Sequence, residues 1–240
     1  MSKFTQKLLN AGLSVVKPEI LNILPHDSNA FTQGLAFAQG MLFESTGTIE
    51  ASSIRCLDPN TGEIISLRKL SGHWGEGIAI HKNHLVQLTW QSCIAIVYDI
   101  TDFTVVDKWP YTGEGWGLAA TRDGYVMTNG SEKLQFRDRN FDLAKTITAR
   151  RKGLPLRWLN DLEYAHGHLF VHRLGDRYLY EIDADNGRII RLIDGIELIQ
   201  LAKPIRDEYV FNGITYDKST DTFFLTGKCW STLFKVRITL

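Results

Sequence analysis

The chain has 240 residues, with 27 basic and 27 acidic side chains and a formal charge of +0. This balance, with no long run of either sign, argues against a nucleic-acid or anionic-membrane surface as partner. No apolar run approaches the roughly 18–20 residues that a membrane span requires, and the length permits one domain or two around a sizeable core.

From Met1 to Gly12 there are two lysines but no apolar stretch or cleavage site of the signal-peptide kind. This segment is expected to be a short helix or disordered. A cytoplasmic location follows, or a periplasmic or secreted one if a leader has been removed. Cys56, Cys93 and Cys229 are odd in number and lack C-x-x-C spacing, so buried free thiols are expected rather than disulfides or a zinc site.

Beyond Gly12 the chain is a series of short β-rich runs separated by Gly, Asn and Asp turns. The first, Glu19-Ile20-Leu21-Asn22-Ile23-Leu24-Pro25-His26, leads into Phe31-Thr32-Gln33-Gly34-Leu35. That second segment opens a repeat. It recurs as Gly75-Glu76-Gly77-Ile78, Gly115-Trp116-Gly117-Leu118, Leu159-Asn160-Asp161-Leu162 and Phe211-Asn212-Gly213-Ile214. Measured between Leu35, Ile78, Leu118, Leu162 and Ile214, the spacings are 43, 40, 44 and 52 residues.

Each copy continues in register. Second strands are predicted around Met41–Glu44, Leu85–Leu88, Tyr125–Thr128, Leu169–His172 and Phe223–Thr226. Third strands follow around Ser53–Asp58, Ile94–Asp99, Lys133–Asp138, Tyr178–Asp183 and Thr232–Arg237. Fourth strands are predicted over Ile64–Leu70, Thr104–Pro110, Leu143–Thr148 and Arg188–Ile193, but the fifth copy ends without one. Four strands at a period of roughly 40–45 residues indicate a β-propeller. The fold class is therefore all-β: one five-bladed propeller domain spanning 1–240, its last blade closed by the N-terminal strand Glu19–His26. Such closure removes open sheet edges. The irregular stretch Asp194–Glu208 has room for a short helix ahead of Pro204.

Inner strands of a propeller line its channel, so equivalent repeat positions form a ring at one mouth. That ring holds Gln33, Glu76, Trp116, Asn160 and Asn212. A single G-E-G such as Gly75-Glu76-Gly77 is ordinarily a solvated loop carboxylate. A ring of unequal polar and aromatic residues, however, suits an asymmetric ligand. The ends of the second strands add Trp90 and Lys228, and Trp74 stands beside Glu76. Glu44 occupies a position where three of its counterparts are apolar, which suggests a partly buried acid with a raised pKa unless paired.

Taken together, Phe31-Thr32-Gln33-Gly34-Leu35, Glu44-Ser45-Thr46-Gly47, Gly75-Glu76-Gly77-Ile78, Gln87-Leu88-Thr89-Trp90, Gly115-Trp116-Gly117-Leu118, Asn160-Asp161-Leu162-Glu163-Tyr164 and Thr226-Gly227-Lys228 resemble the plant and bacterial type of glutaminyl cyclase. The resemblance covers about Ile20 to Lys235. It implies conversion of N-terminal glutamine of peptides or proteins to pyroglutamate with loss of ammonia, without metal or other cofactor. It also implies Glu76 as acid and base, with Lys228 and Asn160 as catalytic polar groups around the reacting amide. Gln33 would bind the substrate's amino end, and Phe31, Trp74, Trp90 and Trp116 would form aromatic walls; Glu44 and Leu174 are expected among the substrate-binding residues as well. One departure stands out: where the family usually has Asn-Val-Trp, this chain has His172-Arg173-Leu174. Leu174 keeps an apolar contact but loses the indole face and its N–H donor.

Two other readings stay open on the residues alone. Glu44, Glu76, Asn160 and Asn212 could hold Ca²⁺ in a lactone- or phosphoester-hydrolysing propeller. Alternatively, the pocket could bind peptide N-termini without catalysis. A monomer is expected.

Overall fold

The computed structural model describes residues 12–239, and the fold is the expected five-bladed β-propeller. Blade one comprises Thr32–Ala38, Met41–Thr46, Ser53–Leu57 and Ile64–Lys69, from channel to rim. Blades two and three follow as Gly75–His81, His84–Thr89, Ile94–Asp99, Val105–Pro110, then Leu118–Ala120, Gly124–Met127, Lys133–Asp138, Leu143–Thr148. Blade four contains Leu159–Ala165, His168–Arg173, Tyr178–Asp183 and Ile189–Asp194. Blade five takes Phe211–Asp217, Thr222–Gly227 and Thr232–Arg237, and its fourth strand is Glu19–Pro25, antiparallel to Thr232–Arg237.

Two features were not foreseen. Ser14–Val16 adds a fifth strand to blade four, parallel to Ile189–Asp194 with Ser14 opposite Arg191. Arg150–Arg151 and Leu154–Pro155 form a small separate hairpin. The helix expected before Pro204 spans Ile196–Ala202. Apart from Gly12, the expectation for residues 1–12 lies outside the described residues.

Five apolar clusters fill the five interfaces between neighbouring blades. Alternation explains why: residues two apart on a strand face the same neighbouring blade, so each sheet is apolar on both faces. The outer strand Ile64–Lys69 is exposed along its whole length. At the axis the inner strands approach backbone to backbone. A side chain on Gly77 would place its Cβ 2.6 Å from the Gly117 Cα and 2.5 Å from the Leu118 nitrogen, so only glycine fits there.

Glu44 is placed differently from the sequence expectation. Fully buried in the middle of its strand, it faces the junction of blades one and five and does not line the ligand cavity. Thr32 Oγ1 donates to Glu44 Oε1 at 2.7 Å, His26 Nε2 lies 3.0 Å from the same oxygen, and Arg55 Nη1 lies 3.6 Å from Oε2. The alternation of the pleat puts it between blades rather than in the channel, and pairing reverses the effect of burial. Burial pushes its pKa up, but His26 and Arg55 pull it below the ordinary carboxylate value. Burial pushes the His26 imidazole down, and Glu44 outweighs this and raises it.

The pH window follows from those directions. The raised His26 contributes stability fully below its ordinary 6.5, and this is lost as pH rises through its folded value. The lowered Glu44 contributes above its ordinary 4.5, and this is lost as pH falls through its folded value. Both act together between 4.5 and 6.5. Glu44→Gln is therefore expected to cost about 2 kcal/mol at about pH 5.5, and less at about pH 9. Urea unfolding at the two pH values measures this; equal deficits would contradict an ionic role.

The thiols also differ from expectation. Cys56 is buried, whereas Cys93 and Cys229 are only partly covered, and all three are free.

Candidate active site

The inner strands do not run evenly into the channel mouth. In blades one, two, four and five the register between inner and second strands slips at one place: between Thr32 and Gly34, Gly75 and Ile78, Leu159 and Leu162, and Phe211 and Ile214. Each slip contains a member of the sequence ring, namely Gln33, Glu76, Asn160 or Asn212. A bulge leaves its extra residue outside the ladder and re-aims the side chain. In blade three the inner strand starts only at Leu118, leaving Trp116 in the approach to it.

Three of these side chains, with Trp116, face one cavity of about 390 Å³ at the mouth, within the usual range for small-ligand sites. Gln33, Glu76 and Asn160 meet Lys228 there, beneath Phe31, Trp74, Trp90 and Trp116, with Leu174 at the rim. Asn212 does not join them. Its amide nitrogen donates to the Thr32 carbonyl at 3.1 Å, tying blade five to blade one.

The polar residues form a chain. Lys228 Nζ donates to Gln33 Oε1, and Gln33 Nε2 donates to Glu76 Oε1 at 2.8 Å. Gln33 thus bridges an ammonium and a carboxylate, both only 5% exposed. Lys228 also lies over the Phe31 ring at 4.5 Å, a cation–π contact. Asn160 is buried with its Oδ1 unbonded. A buried amide oxygen of this kind is costly unless something binds it.

Burial dominates the electrostatics. It drives the Glu76 carboxyl well above the ordinary carboxylate range; Lys228 pulls it down, and Asp161 and Glu114 push it up. Burial also lowers Lys228 to about 8, while Glu76 and Asp161 hold it up. Asp161, which stands where the four other blades have glycine, is fully buried and accepts the Ile214 N–H at 2.9 Å.

The aromatic wall is held by a residue the sequence reading missed. Glu114 Oε2 accepts both the Trp90 and the Trp116 indole N–H, at 2.9 and 3.0 Å. Hydrogen bonding from Trp116 is the main reason its pKa lies below the ordinary value. A signal was present: Gly113-Glu114-Gly115 is a second G-E-G, just ahead of the ring position. Trp74 and Trp90 meet edge-on with centroids 5.5 Å apart, and Phe31 meets Trp74 edge-on at 6.1 Å. Glu208 and Val210, from the irregular stretch before blade five and its end, complete the lining; no repeat position marks them.

The basic pair next to Leu174 is not in the cavity. His172 is buried edge-on against Phe211 at 4.4 Å, and burial lowers its pKa to about 3, so it is neutral. Arg173 reaches Asp176 at 3.1 Å instead. The four residues considered for Ca²⁺ do not share one cavity either: Glu44 serves His26 and Arg55, and Asn212 lies outside the cavity that holds Glu76 and Asn160.

A larger cavity, about 620 Å³, opens elsewhere among the inner strands, beside Glu163, His166 and Lys218. It lacks an unbonded amide and an acid–amine pair. The Glu163 oxygens are taken by the Tyr164 and Tyr216 N–H groups and the Thr215 hydroxyl, at 2.7, 3.1 and 2.8 Å. The smaller, tryptophan-walled cavity is the candidate site.

An acid with an elevated pKa, facing an amine and an unsatisfied amide inside a tryptophan-walled pocket, is the equipment of an enzyme. The fold is a propeller with a pocket suited to enzyme chemistry, and the comparisons name its family. The chain belongs to the glutamine cyclotransferase family, whose model matches residues 2–238. It is similar to a glutaminyl-peptide cyclotransferase of Arabidopsis thaliana, 29% identical over 226 residues, covering 92% of this chain and 71% of that protein. The crystal structure of Myxococcus xanthus glutaminyl cyclase superimposes with a TM-score of 0.89 at 31% identity, covering 94% of this chain and 97% of that one. The protein is thus an enzyme of the glutaminyl cyclase type.

Proposed function

We propose that this enzyme closes the N-terminal glutamine of a peptide into pyroglutamate, with Glu76 moving the proton and no metal taking part in the chemistry. The observation that carries the reading is the Lys228–Gln33–Glu76 chain buried under the tryptophan walls.

The α-amine must attack the side-chain Cδ. A C–N bond forms, the amide C–N bond breaks, and ammonia leaves. The amine gives up a proton and the leaving nitrogen gains one, so a single carboxylate can carry it between them. Burial raises Glu76 toward working pH, where it accepts and returns a proton with little penalty. As the carbonyl oxygen becomes an oxyanion, Lys228 and the Asn160 amide can donate to it. The walls hold the flexible side chain folded for ring closure.

Lys228 supports the metal-free reading. A buried ammonium joined to Glu76 through one amide already supplies the positive charge that a metal would bring, and it would repel a cation bound there. Incubation with Gln-Xaa peptides is expected to release ammonia and yield a product lighter by one ammonia, at the same rate with and without chelator. Ammonia release that stops with chelator and returns with Ca²⁺ would overturn the metal-free chemistry. No release from any Gln-peptide would overturn the activity.

A further inference from the structure

Trp116 walls the catalytic cavity on one face and a second hollow on the other. That hollow, about 660 Å³, lies between blades three and four and is lined by Glu114, Gly130, Pro155, Arg157 and Trp158 as well. Trp158 is an unusual residue. Its side chain is large and apolar, yet 47% exposed. Its backbone is left-handed, with φ of +68°, a conformation that is costly for a bulky residue.

The surroundings enforce that conformation. The Trp158 N–H donates to the Gly130 carbonyl at 2.8 Å, and the Trp158 carbonyl accepts the Leu174 N–H at 2.8 Å. These two bonds hold the indole beside Trp116, with centroids 6.2 Å apart and planes at 43°. They also tie it to Leu174, a 36% exposed residue of the cavity lining. Bound glutamine fills the cavity, so the rest of a peptide has to leave over the rim. At Leu174 the rim leads to an exposed indole rather than directly to water. The hollow's cation, Arg157, is already paired with Glu132 at 2.9 Å, and Leu154 and Pro155 add apolar surface. Glu114 is occupied by two indoles.

We propose that Trp158 and Trp116 form the subsite for the residue following the N-terminal glutamine, favouring an aromatic or flat apolar side chain there. This inference rests on the cyclase reading above. Continuity with the cavity through Trp116 identifies the occupant as the next residue of the same peptide. Neutralised charge and exposed indole set its chemistry.

The test compares kcat/KM for Gln-Phe and Gln-Gly peptides in the wild type, Trp158→Ala and Trp158→Phe. The wild type should prefer Gln-Phe. Trp158→Ala should reduce the Gln-Phe to Gln-Gly ratio about tenfold, mainly through KM, and Trp158→Phe should restore most of it. A ratio that stays within about twofold of wild type in Trp158→Ala, or that Phe fails to restore, overturns the subsite while ammonia release continues. If the wild type cyclises neither peptide, the cyclase reading falls and takes the subsite with it. Thermal melting of the variants separates misfolding from lost recognition, because a folded Trp158→Phe protein still reports the ratio.

Discussion

Glu76→Gln is expected to lower kcat by about 10²–10⁴-fold, the range typical of losing one general acid–base group. The variant should fold, because glutamine keeps the shape and can still accept from Gln33 Nε2 through its own oxygen. What it cannot do is take the α-amine proton and give one to the departing nitrogen. A second consequence separates this from simple damage. Glu76 is the first of the charges that hold the Lys228 pKa up against burial, so removing it should move Lys228 further below about 8. The alkaline fall in residual activity should therefore shift to lower pH. Steady-state ammonia release across a pH series measures both, and turnover within about tenfold of wild type would remove Glu76 from the chemistry.

Lys228→Met is the other large expected effect, a loss of about 10²–10³-fold in kcat, as for removal of one well-placed oxyanion donor. The sign of its pH dependence can be stated. Lys228 is charged below about 8 and neutral above it, so charged donation to the oxyanion is lost as pH rises through that value. Wild-type kcat should decline on that limb, and the methionine variant should lack the decline. The substitution also frees Gln33 Oε1, which Lys228 now holds. Gln33 would then be less firmly oriented toward Glu76, and KM should rise as well. A methionine variant that keeps both the wild-type rate and the alkaline limb would place the titration elsewhere.

The fold was legible because a propeller writes each blade at the same period, and strand alternation survives in every copy. Closure by Glu19–Pro25 was legible as the strand missing from the fifth copy. Four of the five ring positions could be brought to one cavity by counting alone: Gln33, Glu76 and Asn160 at bulges, and Trp116 just ahead of its strand. Counting failed in two ways. It fixed how far along a strand Glu44 lies but not which face of the pleat carries it, and that face belongs to the blade interface. It was also blind to residues outside the repeat: Glu208 from an irregular segment, and Trp158, whose position depends on bonds to Gly130 and Leu174 in two different blades. Ser14–Val16 escaped for a similar reason, being a three-residue strand whose partner, Ile189–Asp194, lies far along the chain.

The N-terminal clasp has a consequence for how the molecule is made. Glu19 and Arg237 meet across the closing pair although they are 218 residues apart in sequence. On the ribosome, Glu19–Pro25 emerges long before its partner Thr232–Arg237. Blades one to four can assemble in order of synthesis, because apart from Ser14–Val16 their strands pair with near neighbours in sequence. Until the ring shuts, both flanks of the gap remain bare, including the apolar side of blade one that later packs on Phe224 and Leu233. Closure is then a late, non-local step, and the nascent chain is most exposed to aggregation just before it occurs. Lys228, in blade five, joins Gln33, Glu76 and Asn160 only after the first four blades have been synthesised.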